Sequence, residues 1–328
     1  MASKLMYNLF YYRILTTSFI APQTMAKTAY RLITTAPPKK EPEWEVEFEK
    51  EVPYNIIKIP FKDHIEEMKK RQPLPTLSKI PDLPEELTVL EFLPNSNVQR
   101  RPETVICSHG WGGRGLNFYK FIPKLQEKGY RVLCPDFPQH GRTDGPEAGA
   151  HCFAHGINLV IRYVDGPVYL ITHSLGNVGF WGSYSFSSQK EKDAIKRYVG
   201  IGIPNDYEDI LFAFENTIGL SRRCHPYFLD IHASCFGDEF CRNQIFGKVI
   251  NELNIPTLLI HDKNDKELDF EKAKETASHL SKKQYKVKSS GEVKPTFYES
   301  EGLGHRRIIR DDDIIDRVVE FLSEDIEF

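Results

Sequence analysis

Five short, nearly unbroken apolar runs recur along the chain: TVICSH (104–109), YRVLCPDF (130–137), PVYLIT (167–172), RYVGIGI (197–203) and PTLLIHD (256–262). A strand with one wet face alternates apolar and polar residues. A strand without that alternation is covered on both faces, as in a parallel sheet inside an α/β protein. The intervening segments NFYKFIPKLQEKG, HCFAHGINLVIRYV, LGNVGFWGSYSF and the closing DDDIIDRVVEFLSEDI carry helical spacing. LTVLEFLP and PTFYES read as further strands at either end. The pattern predicts a mostly parallel central sheet with helices on both faces.

At 328 residues with 40% apolar content, the chain is long enough for such a domain plus appendages. Residues 1–40 carry Lys4, Arg13, Lys27, Arg31, Lys39 and Lys40 and no acid. Such a leader reads as a mitochondrial transit peptide without structure of its own, or as an extension ahead of a true start at Met25, which would leave the protein cytoplasmic. Arg13 and the Thr16–Ser18 stretch break its apolar part, so no stable membrane span is expected. Residues 41–86 read as an N-terminal arm, with EPEWEVEFEKEV extended by its alternation, followed by a Pro-rich connector. Residues 87–328 then form the main domain, and the aromatic-rich excursion at about 204–254 reads as a helical lid. A net charge of −3 gives no nucleic-acid footprint. The six cysteines stand singly, as in a reducing compartment. Cys224, His225, His232, Cys235 and Cys241 lie close together but match no familiar zinc spacing, so no metal is expected.

Chemistry concentrates at the ends of the strands. Ser174 lies between VYLIT and a helical run, where a strand-turn-helix elbow would lift its hydroxyl above the sheet. Such an elbow needs small residues two positions either side; Gly176 complies and Thr172 departs. CSHGWGGRG, after an upstream strand, lets backbone N–H groups converge on one point. The Trp111 and Leu175 amides are the expected oxyanion donors, with His109, Gly110 and Gly112 supporting that loop. After a later strand Asp265 is the expected acid, with Asp262 and Asp206 as competitors. In GLGHRRII, His305 follows the last strand and is the expected base. His173 should be turned away by the elbow, His140 should serve a turn, and His151 and His155 should lie on a helix face near the cleft. The order serine, aspartate, histidine is that of α/β-hydrolases and not of the chymotrypsin or subtilisin types.

On these residues the chain resembles the α/β-hydrolase superfamily, and more narrowly bacterial-type serine hydrolases pairing HGWGGR with DFPQHGRT, GPVYLITHSLGN, IHDKNDKE and GLGHRRII. The likeness runs from about Met25 to the C-terminus. It implies the α/β-hydrolase fold and cofactor-free acyl chemistry on a small ester or thioester through an acyl-serine. Activity would rise through an ordinary histidine pKa of about 6.5. An acyltransferase, a peptidase or a non-catalytic binding protein on the same fold are the alternatives. Substrate identity and oligomeric state are not written in the sequence.

Overall fold

Each of these apolar runs becomes a strand of one eight-stranded sheet. In the computed structural model, which describes residues 2–38, 41–71, 82–242, 245–280 and 282–328, the strands are β1 (Asn55–Pro60), β2 (Glu86–Phe92), β3 (Thr104–Ser108), β4 (Arg131–Asp136), β5 (Val168–His173), β6 (Ile195–Ile201) and β7 (Thr257–Asp262). Two short strands, β8 (Gln284–Val287) and β9 (Val293–Pro295), precede β10 (Phe297–Ser300), and β11 (Ile326–Glu327) ends the chain. The main sheet has the order β1-β2-β4-β3-β5-β6-β7-β10, while β11, β8 and β9 form a small separate sheet. Only β1 against β2 and β2 against β4 run antiparallel in the main sheet.

The helices are α1 (Ala2–Ile20), α2 (Pro22–Ile33), α3 (Glu43–Glu51), α4 (Lys62–Lys70), α5 (Phe121–Glu127), α6 (Ala150–Val164), α7 (Leu175–Phe186) and α8 (Gln189–Ala194). Between β6 and β7 come α9 (Tyr207–Ile218), α10 (His225–Phe236), α11 (Asp238–Arg242) and α12 (Ile245–Glu252). Then follow α13 (Phe270–Ser278), α14 (Gly304–Arg307) and α15 (Asp312–Ser323). Successive strand side chains point to opposite faces, so each buried strand feeds two cores. Ile106, Leu133 and Leu170 join α6, α7 and α10 on one side. Val105, Val132 and Ile171 join α5 and α15 on the other. Asp311 caps α15 by accepting the Ile314 N–H at 3.2 Å, as its acidic start suggests.

Three sequence expectations are corrected. Residues 2–20 and 22–33, expected to lack structure, are helices. Ala26, Ala29 and Ile33 of α2 stand at helical spacing and are buried in the core shared with α10. The arm at residues 43–51 is helical and not extended. Trp44 and Phe48 are four apart and both pack on Tyr119, at ring separations of 4.5 and 5.9 Å. Val46, which alternation would place beside them, is 39% exposed, and Glu43 and Glu45 favour the helix start electrostatically. The sheet, finally, begins before residue 87, because β1 pairs with β2 (Ile57 opposite Val89). Part of the Pro-rich connector, residues 72–81, lies outside the described residues. Among the described residues no helix is long and apolar enough to cross a membrane.

Helix α4 is tied to α6 by two buried imidazoles, His64 Nε2 and His155 Nδ1, 2.8 Å apart. Burial foremost holds His64 down to about 3 and His155 well below the ordinary histidine range. The folded state therefore holds the neutral rings, whereas the unfolded chain takes protons near pH 6.5. Their contribution is complete above that pH and is lost as pH falls below about 6.5, at about 1.4 kcal/mol per pH unit for each ring that stays neutral in the fold. Urea denaturation should thus give a stability that is level above pH 7.5 and declines below 6.5. The double variant His64→Phe/His155→Leu should decline less steeply, and an identical slope in the two proteins would contradict this account.

Candidate active site

Strand β5 ends at His173 and α7 starts at Leu175, so the whole reversal falls on Ser174, with φ 53° and ψ −120°. A side-chain-bearing residue held there costs about 1–3 kcal/mol and persists only where its surroundings enforce it. The Ser174 N–H donates to the Ile201 carbonyl at 3.0 Å, and the Ser174 carbonyl accepts the Asn177 backbone N–H and Nδ2–H at 2.9 and 3.0 Å. A Cβ on Gly176 would lie 2.5 Å from the Ser108 carbonyl oxygen, and one on Gly110 would lie 2.9 Å from the Ser174 Cβ.

Thr172, the departure from the expected small residue, is accommodated by its neighbour. It lies opposite Gly200 on β6, where a Cβ would come within 2.7 Å of both Asn177 Oδ1 and the Tyr198 hydroxyl. The Thr172 and Tyr198 hydroxyls donate to Asn177 Oδ1 at 2.6 and 2.7 Å, and Asn177 Nδ2 also reaches the Ile201 carbonyl at 3.1 Å. The missing glycine is in effect displaced onto the adjacent strand, and a saturated amide fills the space.

The structure brings the three expected residues together. The Ser174 Oγ lies 2.8 Å from His305 Nε2, and His305 Nδ1 lies 2.7 Å from Asp265 Oδ2. Asp265 Oδ1 accepts the Glu267 and Leu268 N–H groups at 2.8 and 2.9 Å. Burial pushes the Asp265 carboxyl up, but hydrogen bonds from His261 and His305 outweigh it and hold the group far below the usual carboxylate range. Asp262 does a different job. Its carboxylate accepts the Asn264 and Gly304 N–H groups at 2.9 Å each, the Leu303 N–H at 3.1 Å and the Ser300 hydroxyl at 2.8 Å. It thereby suspends the turn that delivers His305. Asp206 caps α9 through the Asp209 N–H at 2.8 Å and stands outside the relay.

His173 is more than a residue turned away. Its Nε2–H donates to the His305 carbonyl at 2.9 Å, and burial foremost, with His305 alongside, pushes its pKa down to about 3. It is a neutral brace under the candidate base. Only its position beside the elbow signalled it in the sequence. His140 serves the glycine-rich turn: its Nδ1–H donates to the Pro138 carbonyl at 2.9 Å and its Nε2 accepts the Gly112 N–H at 2.9 Å. His109, buried and held well below the usual histidine range, donates from Nδ1 to the Gly110 carbonyl at 2.7 Å and accepts the Phe137 N–H at 3.3 Å. Asp136, which sequence reasoning did not single out, closes the same loop by accepting the Gly115 and Arg142 N–H groups at 2.7 and 2.8 Å.

Trp111 and Leu175 line the same cleft as Ser174 and His305, a cavity of about 660 Å³. As the first residue of α7, Leu175 presents an N–H that the helix itself cannot satisfy. Ile33, Ile210, Phe214 and Ile218 give the cleft an apolar wall. His151 and His155 are buried on α6. Of the five residues weighed for zinc, His225 is held between Glu208 and Glu215 at 2.7 and 2.8 Å, His232 Nδ1 meets the Tyr207 hydroxyl at 2.9 Å, and Cys235 Sγ accepts the Tyr30 hydroxyl at 3.3 Å. Among the described residues the group with metal-ligand spacing is Glu147, His151 and Cys152, which includes none of the five.

Residues 103–211 match the family described as alpha/beta hydrolase fold. No curated protein sequence matches the chain. Among solved structures, the esterase Pf2001 of Pyrococcus furiosus is similar in two crystal forms, with TM-scores of 0.55 and 0.56 at 16% identity, covering 88% of this chain and 97% of that one. A third crystal form gives 0.54 at the same identity. At that identity the likeness is one of fold, and the architecture is the α/β-hydrolase fold.

The two competing aspartates make separable predictions. Asp262→Asn removes an anionic acceptor and turns an amide toward backbone donors. It should cost about 2–3 kcal/mol in chemical denaturation. Asp206→Asn exchanges one good helix cap for another and should change stability by less than about 0.5 kcal/mol. Equal losses in the two variants would remove Asp262 from its role in holding the His305 turn.

Proposed function

We propose that this α/β-hydrolase-fold protein is a serine hydrolase that cleaves a carboxylic ester or thioester through an acyl-serine intermediate. The observation that carries the reading is the unbroken relay from the Ser174 hydroxyl through both nitrogens of His305 to the Asp265 carboxylate. In this reading His305, with Nδ1–H directed at Asp265, receives the Ser174 proton on Nε2 as the oxygen attacks the substrate carbonyl. The Trp111 and Leu175 amides stabilise the oxyanion, each worth about 10²–10³ in rate. Asp265 holds the ring in that tautomer and stabilises the imidazolium while staying ionised itself. The imidazolium then donates its proton to the departing alcohol or thiol. Water attacks the acyl-serine with His305 again as base, releasing the acid and restoring the serine.

Helices α9–α12 act in this reading as a lid over the sheet's C-terminal edge, and the apolar side of the cleft takes an acyl or alkyl group. The esterase named above fits this chemistry, as does the burial of the His305 and Asp265 side chains behind a half-buried Ser174 that opens into the cleft.

A fluorophosphonate probe should label the wild type and leave Ser174→Ala unlabelled, with p-nitrophenyl ester turnover reduced about 10⁴-fold or more in the variant. Labelling that survives in Ser174→Ala would put the nucleophile elsewhere. A wild type with no burst, no turnover and no labelling would make the protein a binding module on a hydrolase fold.

A further inference from the structure

The last residue of α2 and the segment after it are joined to the candidate oxyanion loop and its surroundings at four points. The Trp111 indole Nε1–H donates to the Ile33 carbonyl at 3.0 Å. Pro37 covers Gly112, where a Cβ would meet the proline ring at 3.1 Å and where φ is +71°. The Thr34 carbonyl accepts the Ala148 N–H at 2.8 Å. The Ala36 N–H donates to Gln139 Oε1 at 2.9 Å. Gln139 has φ 63°, an unfavourable value for a residue with a side chain, and directly precedes His140, which accepts the Gly112 N–H. Ile33 and Thr34 also line the cleft beside Ser174.

We propose that residues 33–37 are a strap that positions the oxyanion donor of Trp111, with the Trp111 indole and Gln139 as its positioning residues. The proposal rests on the hydrolase reading. A loop written HGWGGRG has little side-chain packing to hold it, yet an oxyanion donor contributes only when held to within about 0.5 Å of its productive position. Two routes from the strap converge on the Trp111–Gly112 pair. One runs directly through the indole. The other runs through Gln139 and His140 to the Gly112 N–H. Because that N–H is committed to His140, the Trp111 amide is left as the donor for the strap to aim. The strap thus joins the N-terminal segment to the reaction centre and does not merely cover it.

The test uses full-length protein and p-nitrophenyl butyrate. Trp111→Phe keeps the ring and the backbone amide but loses the tether to Ile33, and Gln139→Ala loses the tether to Ala36. Each should lower kcat about tenfold with KM changed less than twofold. Gln139→Glu keeps an acceptor oxygen and should retain kcat within twofold of wild type. Hydrogen exchange over residues 110–114 should quicken in Trp111→Phe and Gln139→Ala while exchange in α6 stays as in wild type. Wild-type kcat in both variants, a loss confined to KM, or unchanged exchange at 110–114 would overturn the strap. A wild type that neither bursts nor labels would end the hydrolase reading and the strap's catalytic role with it.

Discussion

The bend at Ser174 is the constraint on which the rest of the site depends. Reversing from strand to helix in one residue forces a positive φ on a serine and drives the start of α7 against the end of β3. A strain of about 1–3 kcal/mol there must be offset locally, and Asn177 is placed to do it. Its amide ties together the Ser174 carbonyl, the Ile201 carbonyl and the hydroxyls of Thr172 and Tyr198. Each such bond contributes about 0.5–1.5 kcal/mol net, so the cluster is of the right size to sustain the bend. The same bend leaves the Leu175 N–H free of intrahelical partners and points the serine hydroxyl away from the sheet. In the proposed reaction, one local conformation therefore sets the nucleophile and an oxyanion donor together.

The charge that meets the His305 ring at Nδ1 is the Asp265 carboxylate. Asp265 remains ionised because His261 and His305 both face it and backbone amides meet its other oxygen. The nearby His173 and His109 are kept neutral by burial, so they brace through fixed tautomers without adding positive charge beside His305. A charged His173 would compete with the imidazolium that the proposed reaction must form.

How much of this was legible in the sequence follows from the range over which each signal acts. Strands β3 to β7 were visible because covering a strand on both faces leaves a continuous apolar run. Ser174, Asp265 and His305 were visible because strand ends are where such folds carry chemistry and because their order was distinctive. The choice between Asp262 and Asp265 turned on which carboxylate faces a ring and which faces backbone amides. That is a matter of three-dimensional contact that residue type does not encode. Thr172 read as a defect because its compensation, Gly200, lies on another strand. The helix at 43–51 was misread because Trp44 and Phe48 satisfy a period of two as well as a spacing of four, and only the exposure of Val46 separates the two.

The N-terminal region illustrates why composition is a poor guide to structural boundaries. An acid-free stretch ending near residue 40 suggests an appendage, yet Ser18 accepts the Ser221 N–H at 2.9 Å and α2 buries Ala26 and Ala29 beside α10. The turn after α2 reaches the cleft itself. Surface charge reports what solvent and transport machinery would meet, whereas membership of a core is decided by a few apolar residues at helical spacing. Met25, Ala26, Ala29, Tyr30 and Ile33 supply that spacing within a segment whose charges all point the other way. The change in charge near residue 40 is therefore not a packing boundary: Ile14 and Ser18 of α1 are buried as well. Whatever the stretch before Met25 contributes, the residues from α2 to Pro37 share their packing with the main body and cannot be removed without opening a wall of the cleft.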